Sequence, residues 1–259
     1  MYITAVIVAY NRLPLLKECI HSLRLQTRKP DAIMVINNSS TDGTGEWLAG
    51  ETDLVVFTVP NRGGAGGFNE GVKQAYKHNS DWIWMMDDDS IPEPGALHAL
   101  VTALEVTKEA GDRFGFFGSK VLFTDRTDHL MNIQVQLNKF EGKKDKHFYH
   151  EHHIHPVEFS SFVSLLVSKE VVGEVGLPIS EFFIWGDDVE YTKRIVNAGY
   201  YGALVSNSIV IHKTPVNYSH NVFTDSASNI WKHKYGVRNQ LYIRRQRYCL
   251  FRRWQSRKS

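Results

Sequence analysis

The stretch YITAVIVAY, residues 2–10, is apolar and β-branched with no polar break. That pattern predicts a strand covered on both faces, as in a parallel sheet. Beyond it Leu15, Leu16, Cys19, Ile20 and Leu23 recur at helical spacing, with Asn11 placed to cap the segment and Pro14 in its first turn. AIMVIN (32–37) and DLVVFTV (53–59) predict two further strands around a short helix near Trp47. The glycine-rich NRGGAGGFNEG opens a helix running to about His78, and WIWMM (82–86) is a fourth strand. Strand–helix alternation over about 90 residues argues for βαβ units in an α/β, doubly wound, mostly parallel sheet flanked by helices. ALHALVTALEVTK (96–108) predicts another helix, whereas 112–160 mixes short apolar runs with polar ones and shows no regular period. Periodic signals return in SSFVSLLVSKEVVGEVG, FFIWGDDVEYTKRIVNAGY and ALVSNSIVIHK. No repeat or linker divides the chain.

The apolar strand WIWMM runs straight into Asp87, Asp88 and Asp89. In an extended backbone, side chains at i and i+2 share a face, so Asp87 and Asp89 can converge while Asp88 faces elsewhere. Ligands of open α/β sheets bind beyond the C-terminal strand ends, and paired carboxylates there suit Mg²⁺ or Mn²⁺. The competing account is a solvated acidic turn. In the glycine-rich segment, G-x-x-G spacing before a helix would let backbone N–H groups approach a phosphate; close packing of the helix on the sheet accounts for the glycines equally well. The segment lacks a Walker pattern, and no strict G-x-G-x-x-G follows the first strand, which argues against a dinucleotide fold of the Rossmann type. Asp187 followed by Glu190 fits a D-x-x-E capping box. Asp188 would then open the helix, where the dipole favours its ionised form and suits it to act as a general base; simple N-terminal charge decoration is the alternative. His212 follows the apolar SIVI, either as a structural histidine or as a neutral imidazole completing an Asp–x–Asp metal site.

Composition changes this picture in two places. The net charge of +2 hides an asymmetry, because ten of the 30 Lys and Arg fall in 226–259, which has no acid. All 28 acids therefore lie in the rest of the chain, against 20 bases. The basic segment interleaves Trp231, Tyr235, Tyr242, Tyr248, Phe251 and Trp254, a composition that fits an anionic membrane surface. RNA binding competes, but no RNA-binding signature accompanies the segment, so no nucleic-acid partner is expected. A solvated helix packed on the body is the plainer account. Residues 147–155, HFYHEHHIH, hold five of the twelve histidines, either as a transition-metal site or as a mobile polar loop. No apolar run reaches the ~18–20 residues of a membrane-spanning helix, no signal peptide is evident, and Cys19 and Cys249 read as free thiols of a cytoplasmic protein.

VIVAYNR, NNSSTDGTGEWL, NRGGAGGFNEGV, WMMDDDSIPEPGAL, FFIWGDDVEYTKRIVNAGY and IVIHK, in that order, resemble the family 2 glycosyltransferases of GT-A fold. GGAGGF, the triple Asp, WGDD and the later His look like bacterial galactofuranosyltransferases, and rhamnosyltransferases share much of the remaining pattern. The resemblance covers nearly the whole chain, RNQLYIRR near the end included. It implies a GT-A domain over 1–225, with a nucleotide-binding half over about 1–110 and an acceptor-binding half over about 111–225, and then a basic aromatic segment over 226–259. It also implies that Asp87, Asp89 and His212 hold Mn²⁺ or Mg²⁺ against the diphosphate of a nucleotide sugar, and that Asp188 deprotonates the acceptor hydroxyl in a single inverting displacement. Ala9, Tyr10, Arg12, Asn38, Asn61, Gly63, Gly64 and Asp88 would bind the donor, a UDP-sugar. Phe162, Trp185 and Asp187 would meet a glycan or lipid-linked glycan acceptor, with the basic segment on the inner face of the membrane.

Two departures bear on specificity. Asn38 stands where many relatives carry Asp, and Phe162 and Val163 stand where the mycobacterial type carries paired tryptophans. A nucleotidyltransferase would share this sheet, but it calls for a basic glycine-rich loop after the first strand, which VAYNRLP is not. A non-catalytic nucleotide-sugar-binding protein is opposed by the presence together of Asp87, Asp89, Asp188 and His212.

Overall fold

The computed structural model of the chain describes residues 1–78, 80–137, 140–217 and 232–245. Strand β1 (Ile3–Ala9) is buried along its whole length because its two faces meet different apolar layers. Ile3, Ala5, Ile7 and Ala9 join Leu16, Cys19, Ile20 and Leu23 of α1 (Leu13–Arg24). Val6 and Val8 join Phe68, Val72 and Ala75 of α3 (Gly63–Lys77) on the other side. The unbroken apolar run is thus two interleaved period-two patterns. Parallel pairing sets β2 (Ala32–Asn37) on one side of β1 and β4 (Trp82–Asp87) on the other, with β3 (Leu54–Thr58) beyond β2. The short α2 (Thr44–Ala49) lies between β2 and β3 in the chain, around Trp47 as the sequence predicts.

Past β4 the sheet becomes mixed. Strand β8 (Leu165–Ser168) runs antiparallel to β4, β6 (Phe114–Leu122) antiparallel to β8, and β9 (Tyr201–His212) parallel to β6. Strands β5 (Ser90–Pro92) and β7 (Ile154–Val157) both pair antiparallel with β9, giving one nine-stranded sheet. The continuous parallel run is β3-β2-β1-β4; the antiparallel additions β5, β7 and β8 are three or four residues long and too short for their sequence to show a period. Helix α4 (Ala96–Ala110) covers the α1 face, while α6 (Lys169–Val175) and α7 (Asp187–Asn197) cover the α3 face.

Several local expectations are corrected. Asn11 does not cap α1: Arg12 holds the cap position, and Asn11 Oδ1 accepts from Thr41 N at 2.7 Å, tying the loop after β1 to the loop after β2. The histidine-rich 147–155 is not a mobile loop. It forms most of α5 (Lys146–Glu151) and the start of β7, with Asp145 accepting from Phe148 N at 2.9 Å and Tyr149 fully buried. Its histidines form no group of three metal-ligand atoms among the described residues. Residues 232–245 form a last helix, α8, packed through Asn239 and Ile243. Trp231, Tyr248, Cys249, Phe251 and Trp254 lie outside the described residues. No described helix is long and apolar enough to cross a membrane.

The glycines of α3 show why this helix sits so low on the sheet. A Cβ at Gly67 would lie 2.4 Å from Val8 Cγ1, and one at Gly71 would lie 2.4 Å from Val6 Cγ1. Only a bare Cα allows that approach, so packing accounts for these two positions. Gly64, by contrast, faces open space. Gly67→Ala should cost about 1–3 kcal/mol by overpacking, whereas Gly64→Ala should be neutral or stabilising by up to about 1 kcal/mol. Urea denaturation of the two variants reads the difference, and equal midpoints would refute the packing role of Gly67.

Candidate active site

Strand β4 delivers Asp87 as its last residue, and Asp88 and Asp89 then form a turn into β5. The backbone is therefore not extended through the triplet, and alternation is not what brings Asp87 and Asp89 together; the turn does so. Antiparallel pairing places Ser90 opposite His212, which brings the end of β9 beside Asp89. One ligand atom from each of Asp87, Asp89 and His212 lies within 4.8 Å of the others. His212 Nε2 stands 3.2 Å from Asp89 Oδ1, a buried oxygen on which no hydrogen-bond donor is aligned. Two carboxylates and an imidazole, with one carboxylate oxygen unmet, form a donor set that fits a divalent cation.

Asp88 points away from this group, as expected. Its Oδ2 accepts from Tyr10 N at 3.0 Å and its Oδ1 lies 3.4 Å from Arg12, whose guanidinium also pairs with Asp89. The triplet thus grips the loop after β1, which reverses through Asn11 at a φ of 52°. Burial, and then Asp89 and Asp88, pushes the Asp87 carboxyl well above the usual carboxylate range. Burial also raises Asp88 to about 7, against the pull of Arg12. For Asp89 burial works the same way, but His212 and Arg12 outweigh it and hold the carboxyl below its ordinary value.

Two neighbours of His212, Asn132 and His129, carry no signal in the sequence. Asn132 Oδ1 lies 3.0 Å from His212 Nδ1 while its amide donates to Ser161 Oγ at 2.9 Å, an arrangement that fixes the ring with Nε2 on the side of the carboxylates. The His129 ring packs on His212 at 4.5 Å between centroids, and burial followed by His212 lowers its pKa to about 4. These residues lie in the aperiodic 112–160 region, and no sequence signal marks them.

The donor candidates gather at the ends of β1 and β2, beside the point where strand order reverses between β1 and β4. Asn38 is 2% exposed, bonded through its backbone N–H to Ala9 O and through its amide to Gly63 O; its Oδ1 is buried without a donor. Asn61 Oδ1 accepts from Gly63 N at 2.8 Å. Tyr10 is exposed at the rim.

The second acidic pair opens α7. Gly186, not Asp187, holds the cap position, and no side chain caps the helix, so the capping box is not formed and Asp188 is the second helical residue. Asp187 is buried, and it is near enough to add to the upward push on Asp87. Burial and then Asp188 raise Asp187 to about 8. Burial raises Asp188 to about 6, outweighing the helix-end effect that favours its anion. Both carboxyls are thus pushed up, Asp187 further than Asp188, and the two titrate as a pair. Trp185 sits in the loop just before the pair, half-buried. Phe162 is 3% exposed and packs between Phe68 and Tyr191, so its ring belongs to the core beneath the site.

Residues 4–165 match the family model described as Glycosyl transferase family 2. The chain is 26% identical over 211 residues to the galactofuranosyltransferase GlfT1 of Mycolicibacterium smegmatis, covering 76% of this chain and 66% of that protein. It is 24% identical over 249 residues to the N-acetylglucosaminyl-diphospho-decaprenol L-rhamnosyltransferase of Mycobacterium tuberculosis, covering 88% of this chain and 80% of the other. The chain thus spans just under two thirds of the length of the first of these relatives. The crystal structure of GalNAc-T7 with UDP, GalNAc and Mn²⁺ superposes with a TM-score of 0.61 at 16% identity, covering 83% of this chain and 44% of that one, and shows the shared GT-A type of fold.

The raised Asp187 carboxyl has a consequence for stability. The folded state keeps its proton up to about pH 8, whereas the unfolded chain releases it near the ordinary carboxylate value. The folded state is therefore favoured at low pH, and this advantage is lost as pH rises toward about 8. Asp187→Asn should raise Tm above wild type at pH 8.5 and leave it nearly unchanged at pH 4. A uniform shift at both pH values would rule out the linkage.

Proposed function

Because this chain belongs to the family 2 glycosyltransferases, we propose that it is an inverting, divalent-metal-dependent enzyme that moves galactofuranose from UDP-galactofuranose to a glycan or lipid-linked glycan of a cell-surface polysaccharide. The observation that carries this reading is the convergence of Asp87, Asp89 and His212 at the C-terminal end of a central strand, with Asp89 Oδ1 unmet. Mn²⁺ or Mg²⁺ bound by these three would neutralise charge on the departing diphosphate, and the mixed oxygen and imidazole set suits Mn²⁺ better.

The protein's own groups supply the rest. Ala9, Tyr10, Arg12, Asn38, Asn61, Gly63 and Gly64 surround the nucleotide, while Asp88 holds the Tyr10–Arg12 loop in place. Asp188 takes the proton of the acceptor hydroxyl as its oxygen bonds to the anomeric carbon and the bond from that carbon to the diphosphate oxygen breaks. Attack opposite the leaving group inverts the centre. Trp185 and Asp187 flank the acceptor, and Phe162 supports them from the core. Likeness to GlfT1 supports galactofuranose as the sugar. Rhamnose from dTDP-rhamnose is the second reading, supported by the longer alignment with the rhamnosyltransferase.

Incubation with Mn²⁺ and a panel of UDP- and dTDP-sugars, followed by nucleoside diphosphate release, separates the two donors. Asp89→Ala should abolish metal-dependent turnover. Asp188→Asn should lower kcat about 10²–10⁴-fold without loss of folding. Because the base works ionised, wild-type kcat should rise with pH through about 6, and Asp188→Asn should remove that limb. Full activity of either variant sinks its assignment.

The exposed side of α8 carries Lys234, Val237, Leu241, Arg244 and Arg245 without an acid, a surface suited to anionic headgroups. The chain should pellet with anionic vesicles at low salt and be released at high salt. Failure to pellet would remove membrane association at the inner face from the proposal.

A further inference from the structure

The loop that leads into Asp187 and Asp188 is held in an unfavourable backbone shape. Phe183 and Trp185 both have a φ of 63°, and Gly186 has a φ of 88°. Left-handed geometry at a non-glycine aromatic costs on the order of 1–3 kcal/mol and persists only where surrounding contacts over-determine it. Two sets of contacts do so here. From one side, Ala65 N at the start of α3 donates to Phe183 O at 3.2 Å, and a Cβ on Gly63 would lie 2.0 Å from that same oxygen. From the other side comes α8, more than 40 residues along the chain.

The α8 contact centres on one amide. Asn239 is 1% exposed, and its Nδ2 faces three loop carbonyls: Phe182 O at 3.0 Å, Ile184 O at 3.1 Å and Trp185 O at 2.7 Å. Arg238 reaches Glu181 O and Phe182 O beside it. Phe183 stacks on Tyr235 at 5.0 Å, and Trp185 meets His233 edge-on at 5.0 Å. Ile243 closes the apolar side with Ala65 and Phe182. A buried amide aimed at three carbonyls of one loop is more than packing requires, since a leucine would fill the same space.

We propose that Asn239 is a positioning residue for the acceptor side of the site. Its amide holds Phe182–Gly186 in the strained shape that aims the first turn of α7, and with it Asp188, at the reacting hydroxyl. The helix that lies outside the family-matched residues 4–165 is then required for catalysis rather than appended to it. This proposal rests on the assignment of Asp188 as base. The donor side, built from β1, β2 and α3, is not touched by Asn239.

The test uses the full chain and Asn239→Leu, which keeps the volume and removes the hydrogen bonds. Hydrogen exchange of the protein alone should show residues 182–188 losing protection by about tenfold or more, with the rest unchanged. UDP affinity in the presence of Mn²⁺ should stay within about twofold, and kcat should fall about 10–100-fold, as expected for a misplaced base. Asn239→Ser, which keeps one donor, should fall between, and it serves as the second variant if the leucine form does not fold. Gln240→Leu, on the exposed side of α8, should match wild type. Unchanged exchange at 182–188 overturns the clamp, and so does a loosened loop with wild-type kcat. The exchange result does not depend on turnover. A chain inactive with every donor would count against the proposed reaction, and the exchange result alone would then decide whether Asn239 holds the loop.

Discussion

Three carboxylates sit side by side at the end of a buried strand, and the cation that the described residues bring to them is Arg12. Their mutual repulsion is the constraint around which this end of the molecule is arranged. Asp88 relieves part of it by turning outward to the Tyr10 N–H and the Arg12 guanidinium, which docks the loop after β1 against the end of β4. Asp89 relieves part through His212, which requires β9 to arrive where β5 can pair with it. What remains unmet is one buried oxygen of Asp89, flanked by Asp87. A cluster balanced this way is a poor stabiliser of the empty fold and a good receiver of added positive charge.

The second acidic pair handles the same difficulty differently. Burial raises both Asp187 and Asp188, and the neighbouring Asp188 lifts Asp187 further, to about 8 against about 6. The two clusters stand close enough for Asp187 to act on Asp87. The loop before this pair carries three left-handed residues, clasped between the glycine-opened start of α3 and the amide of Asn239.

Legibility in the sequence followed the range of the interaction involved. The long elements β1, α1, β2, α3, β4 and α4 were readable because each buries a face whose period repeats several times. WIWMM followed by DDD predicted that Asp87 and Asp89 converge, as they do, but through a turn and not through an extended strand. The D-x-x-E pattern at Asp187 suggested a cap that Gly186 supplies instead, because a left-handed residue lets the chain enter α7 without a side-chain acceptor. The glycine-rich run offered phosphate approach or close packing; the structure makes Gly67 and Gly71 packing positions and leaves Gly64 open. Phe162 reads as an aromatic near an acceptor site, but its neighbours Phe68 and Tyr191 come from distant parts of the chain and draw it into the core.

By itself, the sequence determined the α/β class, the family, and which carboxylates and which histidine could do chemistry. These follow from local patterning and from residue types in order. The tertiary structure alone decided that His212 faces Asp89, that Asn132 and His129 support it, that burial pushes Asp187 up further than Asp188, and that Asn239 reaches back to the loop before α7. The physical reason is common to all four. Burial and hydrogen-bond geometry between segments tens of residues apart are properties of the packed chain, and no local pattern encodes them.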